Sequence, residues 1–105
     1  MPIVTANVTS GSAANVYVSS GNTAVAYLSL TNITAGNVLA NVYVVPSGDT
    51  AGNTNVTLLQ IEIASLDTYQ LYAGNEKLLL DNGDSIQANS NAASSITTVC
   101  SYTSI

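Results

Sequence analysis

The chain has no histidine, no tryptophan and no phenylalanine, one cysteine, and in Lys77 one cation among 105 residues. Without histidine neither a Ser-His-Asp nor a Cys-His arrangement can form, and the commonest general base is missing. Without clustered lysine or arginine, phosphate neutralisation has no source, and that term supplies most nucleic-acid affinity. Nucleic acid is therefore excluded as a partner, and an anionic membrane surface is disfavoured on the same ground. A single cysteine closes no internal disulfide. With no histidine to activate it, and placed in an alternating strand, Cys100 reads as a small buried hydrophobe and not as a reactive thiol. No apolar run is long enough for a membrane-spanning helix. Residues 1–10 lack the basic start and apolar centre of a secretion signal, so no export is expected from them.

Charge of either sign is scarce. Charged residues make up 7% of the chain, against about 25% in an average globular domain. Lys77 is set against Asp49, Glu62, Asp67, Glu76, Asp81 and Asp84, giving a net charge of −5. The remainder is rich in Ser, Thr, Asn, Ala and Gly, which predicts a surface that is polar and almost free of ions. A chain of this length forms one domain, residues 1–105, burying roughly 65% of its extended-chain surface. Its stability must come from the core, without staples, metal or cofactor.

What is present is alternation with a period of two. Ile3 to Thr9 reads as a first strand, an edge or an exchanged arm within residues 1–10, with Pro2 blocking pairing at its start. Val16 to Val18 is a short β-rich segment, stopped by Ser19-Ser20-Gly21-Asn22. From Ala24 to Thr31 the register points Ala26, Leu28 and Leu30 inward, with Tyr27 and Ser29 outward. Val38 to Val45 places Val38, Ala40, Val42 and Val44 on one face, and Leu39, Asn41, Tyr43 and Val45 on the other. Pro46-Ser47-Gly48-Asp49 ends it, and the glycine-containing stretch Ser47 to Asn55 is a surface loop. Val56 to Ile63 continues as a strand with Leu59, Ile61 and Ile63 inward. A helical face also fits Leu58, Leu59, Glu62 and Ile63, but the β-branched content favours the strand.

Thr68 to Tyr72 and Lys77 to Leu80 flank Gly74-Asn75 as a hairpin. After the turn at Gly83, Ile86 and Ala88 alternate with Ser85 and Gln87. The final run sets Ile96, Thr98, Cys100 and Tyr102 on one face. About seven to nine short strands, with turn signals every eight to twelve residues, predict an all-β fold, a single antiparallel β-sandwich of jelly-roll type. Its expected core is Leu28, Leu30, Val42, Val44, Ile61, Ile86, Ile96, Cys100 and Tyr102.

Candidate chemistry is sparse. Asp81 and Asp84 are the carboxylates closest in sequence among the aspartates, and a carboxylate pair can hydrolyse a glycoside. They flank Asn82-Gly83, however, and Asx residues that close a turn around a glycine explain them better. Asp-Asn-Gly-Asp lacks the spacing and distal glutamate of a calcium loop. Lys77, beside Glu76, reads as a solvated charge. The triplets at Asn7, Asn32 and Asn55 have the Asn-x-Thr form, which arises by chance in a chain of this composition. No catalytic, metal or cofactor residue is therefore assigned, and the chain does not read as an enzyme.

The absent charge itself supports an inference. Soluble monomers usually guard sheet edges with lysine or inward-pointing charge, and depletion of charge marks an interface core. An assembly is therefore expected, with Tyr17, Tyr27, Tyr43 and Val45 as candidate contact residues. Tyrosines facing outward can also stack on a sugar or fill a partner's pocket.

Four stretches, taken together and in order, resemble the small all-β virion proteins of tailed bacteriophages. They are Thr-Ala-Val-Ala-Tyr-Leu-Ser-Leu-Thr-Asn at 23–32, Val-Tyr-Val-Val-Pro-Ser-Gly at 42–48, Leu-Leu-Leu-Asp-Asn-Gly-Asp-Ser-Ile-Gln-Ala at 78–88, and the closing Cys-Ser-Tyr-Thr-Ser-Ile. In that group a strand ending in Val-Pro-Ser-Gly, a Gly-Asp-x-Ile corner and a terminal Ser-Tyr-x-x-Ile recur. The chain departs from the group at Thr103 and Ser104, where bulkier or acidic residues are common. The resemblance implies a capsid cement or decoration protein, made in the bacterial cytoplasm and ending on the virion, and bound to a major capsid protein. The alternatives are a small tail or fibre component, bound to a tail protein, and a module that binds carbohydrate or a host receptor. For the last, the loops Ser47 to Asn55 and Gln87 to Ser95 are the expected contact regions. By analogy with the local threefold positions of an icosahedral shell, a homo-trimer is the favoured oligomer.

Overall fold

The computed structural model describes residues 2–72 and 77–105. Ten strands are present among them: β1 (Ile3–Asn7), β2 (Thr9–Ser10), β3 (Ala14–Val18), β4 (Thr23–Asn32), β5 (Val38–Val45), β6 (Val56–Ile63), β7 (Thr68–Leu71), β8 (Leu78–Leu80), β9 (Ser85–Ser90) and β10 (Ile96–Ser104). They form two five-stranded sheets. Sheet A runs β1-β10-β4-β7, with β8 also paired to β4; sheet B runs β2-β9-β5-β6, with β3 also paired to β9. The fold is therefore all-β and sandwich-like. Pairing is antiparallel except between β2 and β9, which run parallel.

The inner faces of the two sheets share one apolar cluster. Sheet A contributes Val25, Leu28, Leu30, Ile96 and Cys100; sheet B contributes Val42, Ile63, Ile86 and Ala88. All of them are buried, and burying a Leu or Ile side chain is worth about 1.5–3 kcal/mol, which is the main source of stability in a chain without cross-links. Val44, Ile61 and Tyr102 are half-buried and pack against this cluster. Tyr17 of β3 stacks on Tyr102 of β10, with ring centroids 4.3 Å apart, so an aromatic pair joins the sheets.

Residues 3–10 stitch the layers together. β1 pairs with β10 along the edge of sheet A, and Val8 is buried and donates its N–H to the Ile96 carbonyl at 2.9 Å. The chain then crosses to sheet B, where β2 meets β9. Within the single chain β1 thus lies at one edge of sheet A.

Irregular pairing shifts several strands away from plain alternation. In β4 the pairing with β10 slips between Ser101 and Tyr102, so that Tyr102 meets Val25 and not Ala26. Val25 is accordingly buried while Ala26 is only half-buried, and Ser29, flanked by strands on both sides, is buried as well. In β6, Ala40 faces Ile61 and Val42 faces Leu58, leaving three residues of β6 opposite two of β5. The extra residue is absorbed at Gln60, whose φ is 50°, and Leu59 is turned outward to 64% exposure, contrary to its expected place in the core. A bulge of this kind bends the strand and re-aims a side chain.

The strand count exceeds the expected seven to nine because β2 is a two-residue piece and one lane is broken in two. β7 and β8 both run antiparallel to β4, opposite residues 28–31 and 23–25 respectively. They continue one another along β4, so they are not the two arms of a hairpin. The expected turn at Gly74-Asn75 lies outside the described residues.

Candidate functional site

Alternation on β5 and β9 sends Tyr43 and Asn41 to the outer face of sheet B, opposite Gln87 and Asn89. Ala88 and Ile86, their neighbours on β9, are buried in the core. Two loops stand over this outer face. Asp49, Thr50 and Ala51 come from the β5–β6 loop, and Gly11, Ser12 and Ala13 from the β2–β3 turn. With Tyr43, Gln87 and Asn89 they line a groove of about 520 Å³.

Side-chain amides hold the walls of this groove. Asn89 donates its Nδ2–H to the Gly11 carbonyl at 2.5 Å and accepts from Asn41 Nδ2 at 2.8 Å. Asn41 Oδ1 in turn accepts the N–H of Gln60 at 2.6 Å, so the β2–β3 turn, two strands and the β6 bulge form one chain of hydrogen bonds. Asn55 ties the other wall: its Oδ1 accepts the Gly52 N–H at 3.0 Å and its Nδ2 donates to the Thr50 carbonyl at 2.9 Å. An amide carries both donors and acceptors, which suits it to closing a loop against a strand.

Beside the groove lies the corner between β8 and β9. Asp84 accepts the Ser47 N–H on Oδ1 at 2.8 Å and the Asp81 N–H on Oδ2 at 3.0 Å. Gly83 has φ +88° and donates its N–H to the Ser19 carbonyl at 2.9 Å, while Asn82 Oδ1 accepts the Gly21 N–H at 2.8 Å. Asp81, Gly83 and Asp84 therefore join three loops at one end of the sandwich. Both oxygens of Asp84 are occupied by backbone N–H groups, a structural use of the carboxylate. Among the described residues, no group of three or more His, Cys, Asp or Glu could hold a metal ion.

The candidate contact residues separate. Tyr43 lines the groove, and Tyr27 stands half-buried in sheet A, where its hydroxyl accepts the Gln70 Nε2–H at 3.2 Å. Tyr17 is not a surface residue: β3 carries an extra residue between Asn15 and Tyr17, which lets both Val16 and Tyr17 turn inward, and Tyr17 is spent on Tyr102. Val45 is also unavailable, at 1% exposure. It shares the outer face with Tyr43, and the loop that follows it turns back over that face. The region from Gln87 is not wholly loop either, since Gln87 to Ser90 belong to β9.

Two kinds of residue, one lining the groove and one anchoring a loop, escape sequence reasoning. Ser12 and Asp49 reach the same groove from loops far apart in the chain, with no local signal linking them. Asn32 is fully buried and uses every position of its amide: Nδ2 donates to the Gly36 and Ile63 carbonyls at 2.7 and 2.9 Å, and Oδ1 accepts from Thr34 N–H and Oγ1 at 2.9 and 2.7 Å. Its Asn-x-Thr triplet is thus a loop anchor in which the amide nitrogen is committed. Cys100 is fully buried, and loss of solvent pushes its thiol up from 9.0 to about 11.

No protein-family model, no curated protein and no solved structure matches this chain.

Proposed function

We propose that the protein is a structural component of a tailed-phage particle, a cement or decoration protein that binds neighbouring coat subunits through uncharged sheet surfaces. The observation that carries this reading is the placement of the few charges. Among the strands of the described residues, Glu62 of β6 is the one residue with a charged side chain, and sheet A has none. Each edge of sheet A also exposes a large apolar side chain among uncharged polar ones, Ile3 of β1 at 66% and Leu79 of β8 at 67% exposure. Edges that must stay monomeric carry charge, whereas a protein partner covering these edges would have almost no ion to desolvate.

The resemblance to small phage virion proteins supplies the identity of the partner, the major capsid protein, and three copies around a local threefold axis are the assembly that analogy favours. The uncharged outer rows of sheet A, such as Asn7, Thr97, Thr31 and Thr68, are the surface through which contact is made. A place in the tail or fibre uses the same surface with a different partner.

Light scattering of the purified chain gives its oligomeric state, and re-addition to particles stripped of it, followed by heating, tests its role. A gain in particle heat resistance is expected. A compact monomer at high concentration that binds neither coat nor tail components refutes the reading.

A further inference from the structure

The groove on the outer face of sheet B lies apart from sheet A and has no part in the assembly just proposed. We infer that it is a binding site for a neutral saccharide. The inference does not rest on the virion reading, and it would stand if the protein joined no particle.

Three observations carry it. The first is the mixture of residues: one aromatic (Tyr43), one carboxylate (Asp49), two amides (Gln87 and Asn89) and two hydroxyl-bearing residues (Ser12 and Thr50) line about 520 Å³. That volume is within the range of roughly 300–1,000 Å³ usual for small-molecule sites. A sugar ring offers C–H bonds on one face, which meet the negative face of an aromatic ring, and hydroxyls around its rim, which both donate and accept. The carboxylate and the amide oxygen are acceptors for those hydroxyls, and a hydrogen bond to a charged acceptor is roughly twice as strong as a neutral one.

The second observation is commitment. Gln87 uses its Nε2 on Ser85 Oγ at 3.1 Å and leaves Oε1 open, whereas Asn89, deeper in the network, is tied to Gly11 and Asn41. The amides thus divide into one that builds the wall and one, lining the same groove, whose oxygen has no partner among the described residues. The walls are fixed before any ligand arrives, through Asn55 on one side and Asn89 on the other, so little ordering cost falls on binding.

The third is charge. Lys77, the sole Lys or Arg of the chain, precedes β8 in sheet A and does not line the groove, and among the described residues Asp49 is its one charged residue. A phosphate, sulfate or uronic acid would meet a carboxylate with no counter-charge. A quaternary ammonium ligand is recognised by a cage of several rings, and Tyr43 is the one ring present.

The test is a glycan array of neutral hexose and N-acetylhexosamine oligomers, printed beside sialylated, uronic and phosphorylated ones, and probed with the full chain. Neutral hits are then titrated by calorimetry next to choline. Binding to neutral oligomers alone is expected, weakened about tenfold or more by Asp49→Asn and by Tyr43→Ala, and unchanged by Ile33→Ala, an exposed side chain outside the groove. Circular dichroism checks that each variant is folded. Should Tyr43→Ala not fold, Asp49→Asn, an isosteric change on an exposed loop, decides alone. No binding to neutral glycans, a preference for acidic glycans or choline, or affinity that survives Asp49→Asn overturns the inference.

Discussion

Asp84 holds Ser47 across the end of the sandwich, its Oδ1 accepting the Ser47 N–H at 2.8 Å although the two residues lie 37 apart in sequence. The other carboxylate oxygen closes its own turn on the Asp81 N–H. One side chain thus fixes both the β8–β9 corner and the start of the β5–β6 loop, the loop that walls the groove. Replacing Asp84 by Ala should lower stability by about 1.5–3 kcal/mol, the range for a hydrogen bond to a charged group. Urea denaturation of the two proteins measures it, and a change within 0.5 kcal/mol, the range of an ordinary surface substitution (roughly ±0.5), would rule out this pinning role.

Gly83 meets the same serine. A Cβ at Gly83 would lie 2.6 Å from Ser47 Oγ, on a backbone with φ +88°. Gly83→Ala should therefore cost about 1 kcal/mol or more, through strain added to the clash. Gly52, which has open space and no left-handed backbone, is the control, and its alanine variant should be near neutral. Ser47→Gly in the Gly83→Ala background should recover only the part due to the clash, leaving the backbone strain. Thermal midpoints of the four proteins separate the two contributions.

Asn32 predicts a larger loss. Its buried amide ties the β4–β5 loop to the end of β6 through four hydrogen bonds. Asn32→Ala strips the partner from the buried Ile63 carbonyl, at about 1–3 kcal/mol for a group left unsatisfied, and loosens the half-buried Thr34 N–H as well. A loss of at least about 2 kcal/mol is expected, with earlier hydrogen exchange at Thr34 and in the loop beside it. Uniform exchange protection in the variant would contradict the anchoring role.

Cys100 should be silent to thiol reagents until the protein unfolds, because the reacting species is the thiolate and burial holds the thiol protonated. The pH dependence has a definite sign. The folded state binds the proton more tightly than the unfolded chain, so this stabilising contribution is complete below pH 9.0 and is lost as pH rises towards about 11. Cys100→Ala should remove that component, visible as a flatter stability profile over pH 9–11 than the parent shows. Identical slopes would place the thiol in contact with solvent.

Self-association or binding to coat protein should respond to charge placed on the bare edge of sheet A. Leu79→Lys puts a cation on β8 at a side chain that is 67% exposed, so stability should change by no more than roughly 0.5 kcal/mol. Assembly should weaken by tenfold or more, measured by sedimentation, while raising the salt concentration should barely affect the parent. Undiminished assembly of a folded Leu79→Lys protein would exclude this edge as an interface.

The period of two in residues such as Val38 to Val44, and in Ile96 to Tyr102, was sufficient to establish an all-β, two-layered protein, because alternation is a local property that each strand carries alone. The near absence of ions was equally plain, since it is a count. Tertiary structure decided which strand meets which, and hence every departure from alternation. The bulge at Gln60 that expels Leu59, the slip that buries Val25 in place of Ala26, and the extra residue that turns Tyr17 onto Tyr102 all arise from fitting one strand against another. The groove has the same origin: Ser12, Tyr43, Asp49 and Gln87 come from four separate segments, and only the packing of two loops over one sheet face brings their polar groups together.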